Sequence, residues 1–143
     1  MHIHDVMTLG VECIPPTATI QEAARKMRDL DVGSLPICDK NRLVGMLTDR
    51  DIATRALADG QDPRKAPVRE CMTPDVIWCF EDQDVTEACD LMKENQIRRL
   101  AVLNRDKQLV GIVSLGDLAC ETHDEELAGA TLEAVSEPAE PRR

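Results

Sequence analysis

The sequence has almost no aromatic side chains, with one Trp, one Phe and no Tyr in 143 residues. It is also poor in basic residues, with 17 Lys and Arg against 27 Asp and Glu and a formal net charge of −10. Proteins that hold nucleic acids need basic surfaces for the phosphate backbone and, for single strands, aromatic side chains on which bases stack. The composition therefore argues against direct nucleic-acid binding.

Long apolar runs are missing as well. No stretch approaches the roughly 20 apolar residues of a membrane-spanning helix, and the first residues lack the basic start and apolar core of a signal peptide. We expect no membrane association and a soluble, cytoplasmic protein. Hydrophobic residues still make up 43% of the chain, which is enough for a folded core built from aliphatic side chains.

The sequence shows none of the common catalytic patterns. There is no Ser or Cys nucleophile with a partnered base, no glycine-rich phosphate loop and no clustered set of metal ligands. The six cysteines do not include the two-residue spacing of a zinc ribbon or a redox dithiol. We predict that the protein is not an enzyme, has no metal site and needs no obligatory cofactor.

The sequence does contain an internal repeat. Met7-Thr8 recurs 65 positions later as Met72-Thr73, and Leu43-Val44-Gly45 recurs 66 positions later as Leu109-Val110-Gly111. One residue has been added in the intervening turn, where insertions are tolerated. The predicted organisation is a first repeat over residues 1–58, a linker over 59–67, a second repeat over 68–122 and an acidic, flexible tail over 123–143.

Each repeat has the same series of secondary-structure signals. Thr19-Ile20-Gln21-Glu22 and Asp84-Val85-Thr86-Glu87 predict helix starts, and apolar residues follow each of them at helical spacing. Two short apolar runs around a polar turn then predict a hairpin, and short helices are expected over 51–57 and 117–120. With an extended segment before each long helix, the repeat reads strand, helix, strand, strand, helix.

Neither repeat could bury its sheet face and helix stripe alone. We therefore predict an α/β (α+β) fold in which the two repeats pack about a pseudo-twofold axis.

Both repeats end on a shared pattern of glycine, two apolar residues, a hydroxyl residue, two residues of any kind and aspartate. The two copies are Gly45-Met46-Leu47-Thr48-Asp49-Arg50-Asp51 and Gly111-Ile112-Val113-Ser114-Leu115-Gly116-Asp117. The hydroxyl can cap the following helix, and the aspartate then lies in the first helical turn. There an ionised carboxylate can accept hydrogen bonds from the two vicinal hydroxyls of a ribose. We expect the glycines to keep the strand surface open to a ligand. From the spacing alone, a ligand site and a simple helix start are equally good interpretations.

Together with the Met-Thr opening and the Leu-Pro-Ile strand, this closing pattern strongly resembles the cystathionine-beta-synthase (CBS) domain. Two such domains in tandem look like a Bateman module, and the stretches around Pro36 and Thr48 resemble stand-alone CBS pairs of the short hypoxic response type. The resemblance covers about residues 5–121. It implies a non-catalytic regulatory module that senses an adenine-containing ligand, such as AMP, ADP, ATP, NAD or S-adenosylmethionine, in the cleft between the repeats. It also implies a homodimer that acts through an effector protein.

The resemblance further implies roles for individual residues. These are Thr48, Asp51, Ser114 and Asp117 for the ribose, Val11 and Val76 for the adenine, and Arg98 and Arg99 for the phosphate. The first repeat has Gly33-Ser34 where the second has the two arginines. One good site, containing Ser114, Asp117 and an arginine, is therefore more defensible than two.

An alternative function is suggested by two cysteines of the first repeat. Cys13 lies in the first extended segment and Cys38 in the first hairpin strand. If these strands are neighbours, a Cys13–Cys38 disulfide is possible. Two free thiols are the alternative, because cytosolic proteins usually keep thiols reduced. With Ser34, the pair favours a redox- or stress-responsive scaffold that keeps the fold without binding nucleotide.

Overall fold

The computed structural model describes residues 1–137 and confirms a mixed α/β fold. Its helices are α1 (Ile20–Leu30), α2 (Asp49–Asp51, continued by the π-helical segment Ile52–Leu57), α3 (Val85–Asn95), α4 (Leu115–Thr122) and α5 (Glu125–Ser136). Its strands are β1 (Ser34–Asp39), β2 (Arg42–Thr48), β3 (Trp78–Phe80), β4 (Arg99–Leu103) and β5 (Leu109–Ser114). Among the helices of residues 1–137, none is long and apolar enough to cross a membrane.

The chain divides into two compact units, which we call the continuous and the discontinuous unit. The continuous unit is Glu12–Val76, and the discontinuous unit combines Met1–Val11 with the chain from Ile77 onward. Each unit therefore contains the helix and hairpin of one repeat together with the opening Met-Thr segment of the other. The division differs from the repeat boundaries because the opening segments have changed places.

In the continuous unit, β1 and β2 form the predicted antiparallel hairpin, in which Ser34 lies opposite Thr48. Single residues extend this sheet on both sides, with Ile14 parallel to Ile37 and Thr73 antiparallel to Met46. Helix α1 begins at a capping box, because the Thr19 hydroxyl accepts the Glu22 N–H at 3.2 Å and the Glu22 carboxylate accepts the Thr19 N–H at 3.2 Å. The helix buries Ile20, Ala23 and Met27. Helical spacing thus places these three side chains in the core of the unit.

The discontinuous unit repeats this plan with a longer sheet. Strand β3 runs parallel to β4, and β4 runs antiparallel to β5. The backbone of Thr8 pairs with Ile112 of β5 in both directions, at 2.8 and 3.2 Å. Helix α3 starts at Asp84, whose side chain accepts the Thr86 N–H at 3.0 Å, and it buries an apolar stripe. The stripe consists of Val85, Ala88, Cys89 and Met92.

The glycines of the closing pattern do not leave the strand open to a ligand, so this prediction is wrong. A Cβ atom on Gly111 would lie 2.7 Å from the Thr8 carbonyl oxygen and 2.8 Å from the Met7 sulfur. A Cβ atom on Gly45 would lie 2.5 Å from the Met72 sulfur and 3.1 Å from the Thr73 carbonyl oxygen. Because these distances are shorter than van der Waals contact, each glycine is required by the Met-Thr segment that packs on it.

The predicted acidic tail also differs from the structure, because Glu125–Ser136 is helix α5. The Asp124 side chain accepts the Leu127 N–H at 2.9 Å, and two acids occupy the first turn, where they favour a helix. Thr131 and Val135 are buried. Acidic composition led to the prediction of a flexible tail, whereas the spacing of these side chains fits a packed helix. The part of the predicted tail over 138–143 lies outside the described residues.

Candidate ligand-binding site

The closing pattern forms the same hydrogen-bonded box in both repeats. In the second repeat the Ser114 hydroxyl accepts the Asp117 N–H at 3.0 Å, and an Asp117 carboxylate oxygen accepts the Ser114 N–H at 2.9 Å. In the first repeat Thr48 and Asp51 make both bonds at 3.0 Å. Each aspartate is thereby fixed at the start of a helix. Its Oδ2 accepts the backbone N–H of the hydroxyl residue, and its Oδ1 takes no part in the box.

The second carboxylate oxygens have different surroundings. Asp51 Oδ1 lies 3.8 Å from Arg55 Nε, one helical turn further along. Within residues 1–137, Asp117 Oδ1 has neither a hydrogen bond nor an ion pair, and the residue is half-buried. Of the two aspartates, Asp117 is therefore the one whose second oxygen accepts no bond from residues 1–137.

Backbone geometry brings the two arginines to this box. Arg99 pairs with Ser114 across β4 and β5, and the carbonyl of Arg98 accepts the Leu115 N–H at 2.9 Å. Both arginine residues are exposed. Their guanidinium groups are planar donors that suit phosphate oxygens. The second repeat thus combines a fixed carboxylate and two cations at one strand end.

The first repeat has the same backbone without the same charge. The Gly33 carbonyl accepts the Asp49 N–H at 3.0 Å, as the Arg98 carbonyl accepts that of Leu115. A Cβ atom on Gly33 would lie 3.2 Å from an Asp49 carboxylate oxygen. Gly33 corresponds to Arg98 of the second repeat, but it faces the Asp49 carboxylate. This negative charge disfavours a phosphate at the first-repeat box.

A cavity of about 520 Å³ opens beside the second-repeat box. This volume lies within the usual range of about 300–1,000 Å³ for small-molecule sites. The cavity is lined by Arg98, Arg99, Ser114, Leu115, Gly116 and Ala119, and by Ala128, Gly129 and Leu132 of α5. Among residues 1–137 the lining contains two cations and no carboxylate, so an anion with an apolar portion fits the cavity best.

The structure gathers some of the predicted site residues and leaves others apart. Arg98, Arg99 and Ser114 line the cavity. Asp117 does not line it, but is held next to it by its hydrogen bonds with Ser114. Val11 is half-buried and belongs to the same discontinuous unit but does not line the cavity. Thr48, Asp51 and Val76 belong to the continuous unit.

The three lining residues of α5 are not among the site residues predicted from the sequence. The signal that could have found this helix is the four-residue spacing of Leu127, Thr131 and Val135 after an N-capping aspartate.

The two cysteines of the alternative function are neighbours in the continuous unit. Ile14, which follows Cys13, forms a parallel β-bridge with Ile37, which precedes Cys38. The Ile14 carbonyl also accepts the Cys38 N–H at 3.0 Å. Cys13 is exposed, Cys38 is buried, and both are free thiols. Burial first, and then the hydrogen bond with the Cys13 thiol, raises the pKa of Cys38 to about 12. The extended segment and the hairpin strand are therefore adjacent, as the disulfide prediction requires.

Comparison with known proteins agrees with this architecture. The sequence model of the CBS domain matches residues 3–58 and 68–122. The CBS domain-containing protein YhcV of Bacillus subtilis is 42% identical over 134 residues, which cover 94% of each chain. Hypoxic response protein 1 of Mycobacterium tuberculosis is 41% identical over 116 residues, or 80% of each chain.

A solved structure extends the comparison to a bound ligand. It is the CBS domain protein PAE2072 from Pyrobaculum aerophilum complexed with AMP, which is 25% identical, with a TM-score of 0.78. The match covers 93% of the present chain and 99% of that chain. The doubled closing pattern, the two hairpin units and these matches agree, and the chain belongs to the CBS domain family with two CBS domains in tandem.

Proposed function

We propose that the protein is a non-catalytic regulatory module that binds an adenine-containing ligand at the second-repeat site. The observation that carries this proposal is the meeting of Arg98, Arg99 and the Ser114–Asp117 box beside one cavity. The AMP complex of PAE2072 supports an adenine ligand. AMP, ADP, ATP, NAD and S-adenosylmethionine are the candidates.

Each part of such a ligand has a matching group. The ribose hydroxyls donate to Asp117 Oδ1, which accepts no bond from the described residues. The phosphate, where there is one, lies against Arg98 and Arg99 and the exposed Gly116 at the start of α4. The adenine is proposed to lie over the apolar lining of the cavity. Val11 belongs to the same unit but does not line the cavity, so its contact with the adenine stays a prediction. Thr48, Asp51 and Val76 form a second, weaker site.

Regulation requires that the ligand distinguish two states of the protein. A ligand shifts an equilibrium only by the difference in its affinity for the two states. We propose that the readout is a homodimer that contacts an effector protein. Sedimentation velocity with and without ligand would test the dimer, since a monomer under both conditions contradicts it.

Calorimetric titration with the five candidate ligands tests the proposed function. We expect saturable heat and a rise in melting temperature with at least one of them. The absence of both effects for all five would overturn the sensor proposal.

A second candidate function is the redox- or stress-responsive scaffold. It is favoured by the adjacency of the Cys13 segment and the strand that contains Cys38, and by the similarity to Hypoxic response protein 1. Counting thiols in denatured, non-reduced protein tests it. Four free thiols would fit a Cys13–Cys38 disulfide among the six cysteines, whereas six would exclude it.

A further inference from the structure

Helix α5 supplies one wall of the cavity whose other residues come from the CBS motif. Ala128, Gly129 and Leu132 line it opposite the strand end that contains the arginines. This wall is separate from the closing pattern, since α5 begins eleven residues after Ser114. Its composition can therefore restrict a ligand independently of the ribose-binding box.

The wall is held in place by the rest of the discontinuous unit. The Gln96 side-chain amide donates to the Glu137 carbonyl at 2.6 Å, and Arg98 Nη2 donates to the Ser136 hydroxyl at 3.4 Å. On the inner face of α5, Thr131 is fully buried and donates to the Leu127 carbonyl at 2.7 Å. A helix fixed at its end and along one face is a rigid boundary for a ligand.

Gly129 is the residue of this wall that the fold itself does not require. A Cβ atom placed there meets no atom of residues 1–137 within 4 Å, and the residue lies inside a helix without a positive φ. Glycine inside a helix costs roughly 0.5–1 kcal/mol relative to alanine. Neither packing nor backbone conformation explains the glycine, but the open space beside it belongs to the cavity.

Leu132 provides the apolar part of the wall. It lines the cavity and is 48% exposed, so its side chain is accessible to a molecule bound there. A bound ligand whose apolar portion lies over Leu132 would cover this surface, while its anionic end reaches the arginines.

We infer that α5 is a specificity-determining wall of the adenine-ligand site, in which Gly129 leaves room for the ligand and Leu132 packs against its apolar portion. This inference rests on the proposed function and adds to it an element outside the CBS motif. A larger side chain at Gly129 would exclude the ligand by volume. A carboxylate at Leu132 would repel its anionic end and compete for the arginines.

Two pairs of full-length variants test the inference by calorimetry with AMP, ADP, ATP, NAD and S-adenosylmethionine. Gly129→Leu fills the cavity, and Ala130→Leu places the same side chain on the exposed outer face of α5. Leu132→Glu introduces a carboxylate into the cavity, and Ala130→Glu is its control on the exposed face of α5. We expect each cavity variant to weaken binding about tenfold or more, and each Ala130 variant to change it less than about twofold.

The calorimetry distinguishes a failure of this inference from a failure of the proposed function. If the wild-type protein binds none of the five ligands, the proposed function fails, and the inference fails with it. If the wild-type protein binds and both cavity variants bind equally well, only the inference about α5 is overturned. Thermal unfolding of each variant identifies any that does not fold, and the Leu132→Glu pair decides if Gly129→Leu is such a variant.

Discussion

Asp117 and Asp51 occupy the same position in the two repeats and make the same backbone hydrogen bonds. Within residues 1–137, an arginine lies beside the second oxygen of Asp51 but not beside that of Asp117. Replacing either aspartate by alanine removes an equivalent capping bond, so the two variants should lose similar stability. We expect Asp117→Ala to weaken nucleotide binding much more than Asp51→Ala. Hydrogen bonds to charged groups contribute about 1.5–3 kcal/mol, or roughly tenfold to a hundredfold in affinity. Calorimetric titration measures the difference, and equal losses would contradict a single strong site.

Gly111 and Gly45 differ in which atom the methyl group of an alanine substitution would contact first. At Gly111 the nearest atom is a backbone oxygen, that of Thr8 at 2.7 Å, whereas at Gly45 it is the sulfur of the flexible Met72 side chain at 2.5 Å. Overpacking a core typically costs about 1–3 kcal/mol. We expect Gly111→Ala to lower the unfolding free energy by an amount in the upper part of this range and Gly45→Ala by less.

Urea denaturation with Gly129→Ala as the control tests this order. That substitution meets open space inside a helix, so it should raise the unfolding free energy slightly. An unchanged stability in Gly111→Ala would show that the Thr8 segment is not held against β5.

Cys79 gives the protein a dependence on alkaline pH. Burial, and secondarily the negative charge of Glu87, raises the pKa of its thiol from 9.0 to about 12. The unfolded chain loses this proton above pH 9 while the folded protein keeps it. The contribution of Cys79 to the unfolding free energy is therefore undiminished below pH 9 and falls by about 1.4 kcal/mol per pH unit between pH 9 and 12. Cys38, whose pKa is also raised to about 12, adds a similar slope.

Urea unfolding at several pH values between 8 and 10.5 measures this slope. We expect the Cys79→Val variant to lose stability less steeply than the wild-type protein above pH 9. Parallel slopes for the two proteins would show that the thiol titrates normally in the folded state.

At the scale of secondary-structure elements, α5 depends on a side chain from the end of another helix. Gln96 follows α3 and donates its amide to the carbonyls of Ala134 and Glu137 at the end of α5. Gln96→Glu replaces this donor by a carboxylate that can only accept and that faces the negative end of a helix. We expect the amides of α5 to exchange hydrogen about tenfold faster, which corresponds to about 1.4 kcal/mol.

The neighbouring Asn95→Asp variant is the matched control. The Asn95 amide donates to the Leu91 carbonyl within its own helix. Hydrogen exchange measured by mass spectrometry should show reduced protection of α5 in the Gln96 variant and unchanged protection in the Asn95 variant. Equal protection of α5 in both variants would mean that its buried face alone holds it.

Local patterns predicted most of the elements because the signals for them are local. Thr19 and Asp84 begin the helices that the sequence predicts, and both hairpins pair as expected. The contact between Ser114 and Asp117 was also predictable from a local signal. A helix cap and the acid of the first turn are three residues apart in the sequence.

Partner choice was not predictable from such signals. Nothing in Met7-Thr8 or Met72-Thr73 specifies which hairpin each segment joins, because that is decided by long-range packing against Gly111 and Gly45. For the candidate site, the arginines and the box could be predicted. The α5 wall could not, because the acids of that segment were interpreted as solvated charge.

At the scale of the whole molecule, the exchange of opening segments changes which pieces of the chain can fold. In the continuous unit, the Val68 N–H donates to the Ala18 carbonyl at 2.8 Å and the Ile20 N–H to the Ala66 carbonyl at 3.1 Å. A fragment over residues 1–58 lacks these partners, although it contains a complete sequence repeat. We expect a fragment over residues 12–76 to unfold cooperatively in urea and the 1–58 fragment to show no cooperative transition.

Circular dichroism during the titration distinguishes the two fragments. A cooperative transition for residues 1–58 together with none for 12–76 would favour the sequence repeat as the folding unit.

The exchanged segments also set an order in which the protein can assemble during translation. The continuous unit is one uninterrupted stretch, so it can fold as soon as residue 76 has left the ribosome. Residues 1–11 are made before the continuous unit but cannot pack until β5, which ends at Ser114, has been synthesised. This segment is therefore synthesised before the continuous unit but packs after it. A nascent chain halted before β5 would expose Met7 and Ile3 to chaperones or to a second nascent chain.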